Sequence, residues 1–204
     1  MVVACVGAIV LATALAQSKK SIDLTGGFAG SVRPPSIPPN DFALRDQDGR
    51  RVRLSDYSGR VVILTFLYST CQNTCPITAQ QIRGALDGLH TNVPTLAVSV
   101  DPRQDTPLNA RNFLAKQSLL GRMHFLLGGF AALEPIWRAY GIQPQGPRTG
   151  PAFDHSAYVI LIDKQGRQRI GFPNDQLTPE GLVHDIRKLE AEPLPPRMPR
   201  RELI

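Results

Sequence analysis

The stretch YSTCQNTCPIT carries two of the chain's three cysteines, Cys71 and Cys75, with three residues between them and Pro76 directly after. Two thiols so placed can close a disulfide, hold a metal ion, or fill small gaps in a core. Thiolate, not thiol, is both the nucleophile and the soft-metal ligand, and a helix start favours it. If the turn is helical, positions i and i+4 share one face about 5–6 Å apart, a suitable bite for one metal ion. Two thiolates alone make a poor specific site, and a third, borderline ligand would select copper. Three cysteines in 204 residues are too few for a disulfide scaffold.

The chain has four histidines. His90 falls near an expected helix end, His124 in a short strand and His184 on the last helix, and each reads as structural. His155 differs, because it follows the loop GPAFD and opens the strand SAYVILID.

The elements that must position these groups follow from the pattern of apolar residues. Phe42–Leu44 and Val52–Leu54 flank DQDGR, whose Asp48-Gly49 pair marks a hairpin turn. Val61–Tyr68 is a near-continuous apolar run, as for a central strand covered on both faces. Pro76 suits a first helical position, with the helix running to Leu89. Thr95–Val100 reads as a buried strand, and Thr106-Pro107 opens a helix to Ser118. MHFLL is a short strand and Ala131–Tyr140 a helix. His155–Ile162 and Arg167–Gly171 form a second hairpin, and Thr178-Pro179-Glu180 opens the last helix. This order predicts an α/β chain with the thioredoxin-like fold, an N-terminal β-hairpin and an inserted helix and strand. In that arrangement the cysteines end the first central strand and precede the first long helix. The loop before His155 passes beside them in that fold, where a histidine faces the thiols; taken alone, His155 reads equally as a surface loop residue.

Composition divides the chain into four stretches. Residues 1–17 hold VVACVGAIVLATALA, an uncharged run of signal or anchor type, with Cys5 as an apolar residue of that run. The Gly/Pro-rich residues 18–40 read as a linker, 41–190 as the folded domain, and 191–204 as a Pro/Arg-rich tail. The expected location is therefore exported or anchored in the inner membrane, with the domain on the periplasmic side. Net charge is +6, and without a basic stripe interleaved with aromatics this excess points to a solvated surface and not to nucleic acid. Arg50, Arg51 and Arg53 form a basic hairpin edge, either solvated or a docking face for an acidic partner. Trp137 reads as core.

The blocks TFLYSTCQNTCP, AVSVDPRQDTP and FDHSAYVILIDKQGR, in this order and at this spacing across roughly Asp41 to Leu189, resemble the Sco/SenC family. These are membrane-anchored, thioredoxin-like copper-binding factors for assembly of the dinuclear copper centre of cytochrome c oxidase. The resemblance implies Cys71, Cys75 and His155 as copper ligands for Cu(I) or Cu(II), and the copper-bearing oxidase subunit as partner. A thioredoxin-like reductant or another copper carrier is a further implied partner. Asp101 matches the family's Asp-Pro block and positions the site loop or caps a strand-end turn. Asp154 orients His155 or caps its loop. The residues Gln72-Asn73-Thr74 depart from the more usual Pro-containing stretch between the cysteines.

Two enzymatic alternatives remain beside a metallochaperone without catalysis of its own. One is a thiol-disulfide oxidoreductase in which Cys71 attacks and Cys75 resolves. The other is a peroxide-reducing site at Thr70-Cys71, which lacks the upstream proline of that motif.

Overall fold

The computed structural model describes residues 26–89, 91–142 and 158–194. The expected segment at 1–17, most of the linker's first third and the end of the tail lie outside them. Among the described residues, eight strands and four α-helices follow in order: β1 (Ser31–Val32), β2 (Ala43–Arg45), β3 (Arg51–Arg53), β4 (Val62–Leu67), α1 (Thr74–Leu89), β5 (Thr95–Ser99), α2 (Pro107–Lys116), β6 (His124–Leu126), α3 (Phe130–Tyr140), β7 (Tyr158–Ile162), β8 (Gln168–Pro173) and α4 (Pro179–Ala191). Six strands make one sheet in the order β1-β8-β7-β4-β5-β6. In it β4, β5 and β6 are parallel, and β7, β8 and β1 add on antiparallel to their neighbours. This is the thioredoxin-like arrangement expected, with α2 and β6 as the insertion.

The strand alternation decides the two layers. In β4, Ile63 and Leu67 face one core while Val62, Leu64 and Phe66 face the other; in β7, Val159 and Leu161 oppose Ile160 and Ile162 in the same way. Successive side chains point to opposite faces, so a strand apolar at every position must be covered twice. The first core is closed by α1, α2 and α4 through Ile82, Leu114 and Ile186, among others. The second is closed by α3 and the β2-β3 hairpin through Trp137, Leu44 and Val52. The parallel order places the C-terminal ends of β4 and β5 side by side, where crossover loops leave the sheet.

The hairpin turns at Gly49, whose φ of 78° lies in the left-handed region that glycine enters without steric cost. Asp46, fully buried, accepts the backbone N–H groups of Asp48 and Arg50 and pairs with His124 Nδ1 at 2.9 Å. The Gln47 side chain accepts from Phe125 N, and Arg45 O accepts from Leu127 N. The turn thus covers the outer edge of β6, which would otherwise offer unpaired backbone groups.

Two expectations shift. Helix α1 begins at Thr74 and not at Pro76, so Cys75 is already helical. Proline is tolerated there because the first four N–H groups of a helix have no intrahelical partner. The second shift concerns Ser31 and Val32, assigned to the linker by composition, which pair with Gly171 and Ile170 of β8. Ahead of them, Ala29 N and Gly30 N donate to the carboxylate of the fully buried Asp185 at 2.8 and 2.9 Å. A Cβ on Gly30 would stand 2.6 Å from Ile170 Cγ2, so only glycine permits this close approach.

A chain starting at residue 41 lacks both amide donors to Asp185 and the strand pairing of β1. Compared with a chain starting at residue 26, it should lose roughly 3–6 kcal/mol of stability, the worth of two hydrogen bonds to a carboxylate at about 1.5–3 kcal/mol each. Urea unfolding of the two fragments measures the difference, and equal midpoints would show that the segment adds nothing.

Candidate metal and thiol site

Strand β4 ends at Leu67, whose carbonyl accepts from Val100 N, so the parallel pairing with β5 extends beyond the last strand residue. The chain then turns: Cys71 N donates to Tyr68 O at 3.3 Å, and α1 starts three residues later. Cys71 Sγ accepts the backbone N–H of Cys75 at 3.3 Å. The sulfur thereby stands where an N-cap oxygen would stand, beside the positive end of the helix dipole. Cys71 is 8% exposed and Cys75 0%, and both are free thiols.

The two sulfurs are unequal. The Cys75 side chain donates to Cys71, whose pKa is lowered to about 5; burial opposes this, and the Cys75 and Asn73 backbone N–H groups and the Tyr68 hydroxyl assist it. The same contact, together with burial, pushes the Cys75 thiol up. Tyr68 is also held protonated, by burial and by the neighbouring sulfur. The pair therefore sets a sulfur that favours the thiolate and keeps slight solvent access, Cys71, beside a thiol that has none, Cys75.

A carboxylate holds the turn in place. Asp105 Oδ1 accepts both Ser69 N at 2.7 Å and Ser69 Oγ, and its Oδ2 accepts from Ser99 Oγ at the end of β5. Trp137 Nε1, on α3, donates to Ser99 O at 2.9 Å. Thus the residues entering the cysteine turn are tied to β5, and β5 to the helix on the opposite face. Burial pushes the Asp105 carboxyl up against these three donors. Asp101 caps a turn instead: its carboxylate accepts from Arg103 N at 3.2 Å and Gln104 N, while Asp101 N donates to Ser99 Oγ. Of its two expected roles, the local turn is the one its hydrogen bonds describe.

Cys71 and Cys75 are brought together as expected. His155 and Asp154 lie outside the described residues, as do His90 and Cys5. Among the described residues no three His, Cys, Asp or Glu side chains converge to hold a metal. His124 pairs with Asp46 and His184 with Asp185, consistent with structural roles. Trp137 is buried as read. Arg51 stands directly across from Arg45 on the hairpin, and Arg50 lies 3.8 Å from Asp48. Asp105, Ser69 and Tyr68 were not singled out by sequence. Asp105 stands directly before Thr106-Pro107 and reads as the lead-in to a helix; its closeness to the end of β5 was the available signal.

A family model described as SCO1/SenC matches residues 33–191. The chain belongs to the SCO1/SenC family. The SCO1 protein homolog of Bacillus subtilis is 31% identical over 164 residues, covering 76% of this chain and 83% of that protein. The apo Sco1 protein of Thermus thermophilus superposes with a TM-score of 0.68 at 28% identity, covering 81% of this chain and 98% of that one. ScoI of Bradyrhizobium japonicum, a structure with copper bound, superposes with a TM-score of 0.64 at 27% identity, covering 74% and 98%. The match spans 64%, 51% and 65% of three other curated relatives, about two thirds or less of their own length. The range matched by the family model, residues 33–191, spans positions 71, 75 and 155.

Because thiolate is the reactive form, the rate of Cys71 alkylation by iodoacetamide should rise through a midpoint near pH 5 and be flat by pH 7. Cys75→Ala removes the largest stabilising contact and should move the midpoint upward. A wild-type midpoint at the free-cysteine value of about 8.5 would contradict the assignment of Cys71 as the thiolate.

Proposed function

We propose that this chain carries copper as cargo, bound by Cys71, Cys75 and His155, for assembly of a copper centre in cytochrome c oxidase. The observation that carries the reading is the sulfur pair at the start of α1, one thiolate and one thiol in hydrogen-bond contact. Loading Cu(I) removes the proton they share, so binding releases a proton and tightens as pH rises. Two thiolates and an imidazole form a soft, three-coordinate donor set suited to Cu(I). Cys71 keeps slight solvent access and lines a groove through which an incoming ligand can displace it, while the fully buried Cys75 remains attached during exchange. The segment at residues 1–17 would tether the domain to the membrane on its outer side, where the oxidase copper-bearing subunit presents its site.

A second reading rests on the asymmetry of the same pair. A slightly accessible thiolate with a fully buried thiol behind it is also the arrangement of a disulfide reductant, in which Cys71 attacks and Cys75 resolves. Both readings use Cys71 and Cys75, but only copper binding uses His155.

Titration of the full chain with Cu(I) against a competing chelator separates them. One equivalent should bind tightly, and Cys71→Ala and Cys75→Ala should each abolish competition. His155→Ala should weaken binding on the order of 10- to 1,000-fold, corresponding to about 1.4–4 kcal/mol for one lost ligand. Equal binding by wild type and His155→Ala would remove histidine from the site and favour disulfide exchange.

A further inference from the structure

Beside the cysteine turn, a groove of about 510 Å³ runs between that turn and α2. Cys71 lines it and Cys75 does not. Among the described residues it offers a reagent one route to the slightly accessible Cys71 sulfur. The opposite wall is α2, presenting Asn109, Asn112, Phe113 and Lys116. That wall is firm, because Ala110, Phe113 and Leu114 of the helix are buried in the first core.

The lining has one cation and no carboxylate, and Lys116 has no ion-pair partner among the described residues. Gln72 and Asn112, on facing walls, likewise make no hydrogen bond among the described residues. Side-chain amides offer both donors and acceptors, as an extended backbone requires, without reading its sequence. Two large apolar side chains adjoin lining residues in sequence: Ile77, next to Pro76, is 59% exposed, and Leu108, next to Asn109, is 66% exposed. Exposed apolar residues beside a groove of mixed polar and apolar lining suit a protein-binding site. The volume falls within the 300–1,000 Å³ typical of sites for drug-sized ligands, roughly a short peptide segment and not a whole domain.

We propose that this groove docks an extended, acidic, cysteine-bearing segment of a partner protein, with its sulfur delivered to Cys71 Sγ from the α2 side. The proposal rests on the reading of Cys71 as the exchanging sulfur, and it names the partner's chemistry. Lys116 attracts the segment's carboxylates, the amides of Gln72 and Asn112 hold its backbone, and Ile77 and Leu108 take apolar neighbours.

A thiol-exchange assay tests the groove without copper. The full chain is prepared with Cys71 and Cys75 oxidised to their disulfide. A peptide thiolate attacks Cys71 Sγ; the S–S bond breaks, and Cys75 leaves with the electron pair and takes a proton. A second peptide thiolate then attacks the mixed disulfide, so two peptide thiols become one disulfide and the protein pair is reduced. The probes are two peptides of equal length, with cysteine flanked by aspartates or by lysines and with matched thiol acidity, and dithiothreitol as the small thiol. The acidic peptide should react on the order of tenfold faster than the basic one at low salt, and Lys116→Glu should abolish or invert that preference. Asn112→Trp, which fills the groove, should slow both peptides by about tenfold while dithiothreitol stays within about twofold, showing an intact site. Equal rates for the two wild-type peptides, or an Asn112→Trp effect as large for dithiothreitol as for peptides, would overturn the proposal. Chelator competition on the same proteins reports separately on copper, so a chain that failed to bind copper could still pass or fail here.

Discussion

The bond from the Cys75 backbone N–H to Cys71 Sγ is the constraint on which the site depends. It places a sulfur at the one point where β4 has ended, α1 has begun, and the helix dipole favours negative charge. Moving that point by one residue would turn either sulfur away from the other. Its position is fixed from three directions: by β4 pairing with β5, by Asp105 joining Ser69 to Ser99, and by Trp137 holding Ser99 from the opposite layer. The inserted α2 adds the wall of the groove that faces Cys71. A metal or thiol site needs this kind of support, since a ligand held by a slack loop loses both affinity and selectivity.

Burial then sorts the two thiols into different roles. Cys75 faces the apolar residues of the first core, where a charge would be costly, and keeps its proton. Cys71 has partial access to solvent and the helix-end N–H groups, and gives its proton up. The same asymmetry suits copper exchange and disulfide exchange, because both begin with an accessible nucleophilic sulfur and a second one in reserve. The fold and the thiol pair alone do not separate these chemistries; the third ligand of the proposed copper site would.

Much of this was legible in the sequence, for identifiable reasons. Strands β4, β5 and β7 are apolar on both faces, and only a covered central sheet accounts for that. Asp48-Gly49, Thr106-Pro107 and Thr178-Pro179 mark their turn and helix starts through local chemistry, so these were read within a residue or two. Strand β1 was not legible. Ser31 and Val32 are both exposed, and their structure comes from the edge of β8 and from Asp185, about 150 residues away. Asp105 was hidden by its neighbours, since an acidic residue before Thr-Pro looks like a helix prelude. Its role depends on Ser69, 36 residues earlier, which no local pattern connects to it. His155 entered only through position in the expected fold and family resemblance, and it lies outside the described residues.

The central claim is that two sulfurs and one imidazole share a single copper ion. Copper K-edge X-ray absorption of the full chain loaded with one equivalent of Cu(I) tests it most directly. A three-coordinate spectrum with two sulfur scatterers and one nitrogen, the nitrogen lost in His155→Ala, is the predicted result. A spectrum with sulfur scatterers alone, unchanged by His155→Ala, would contradict the three-ligand site.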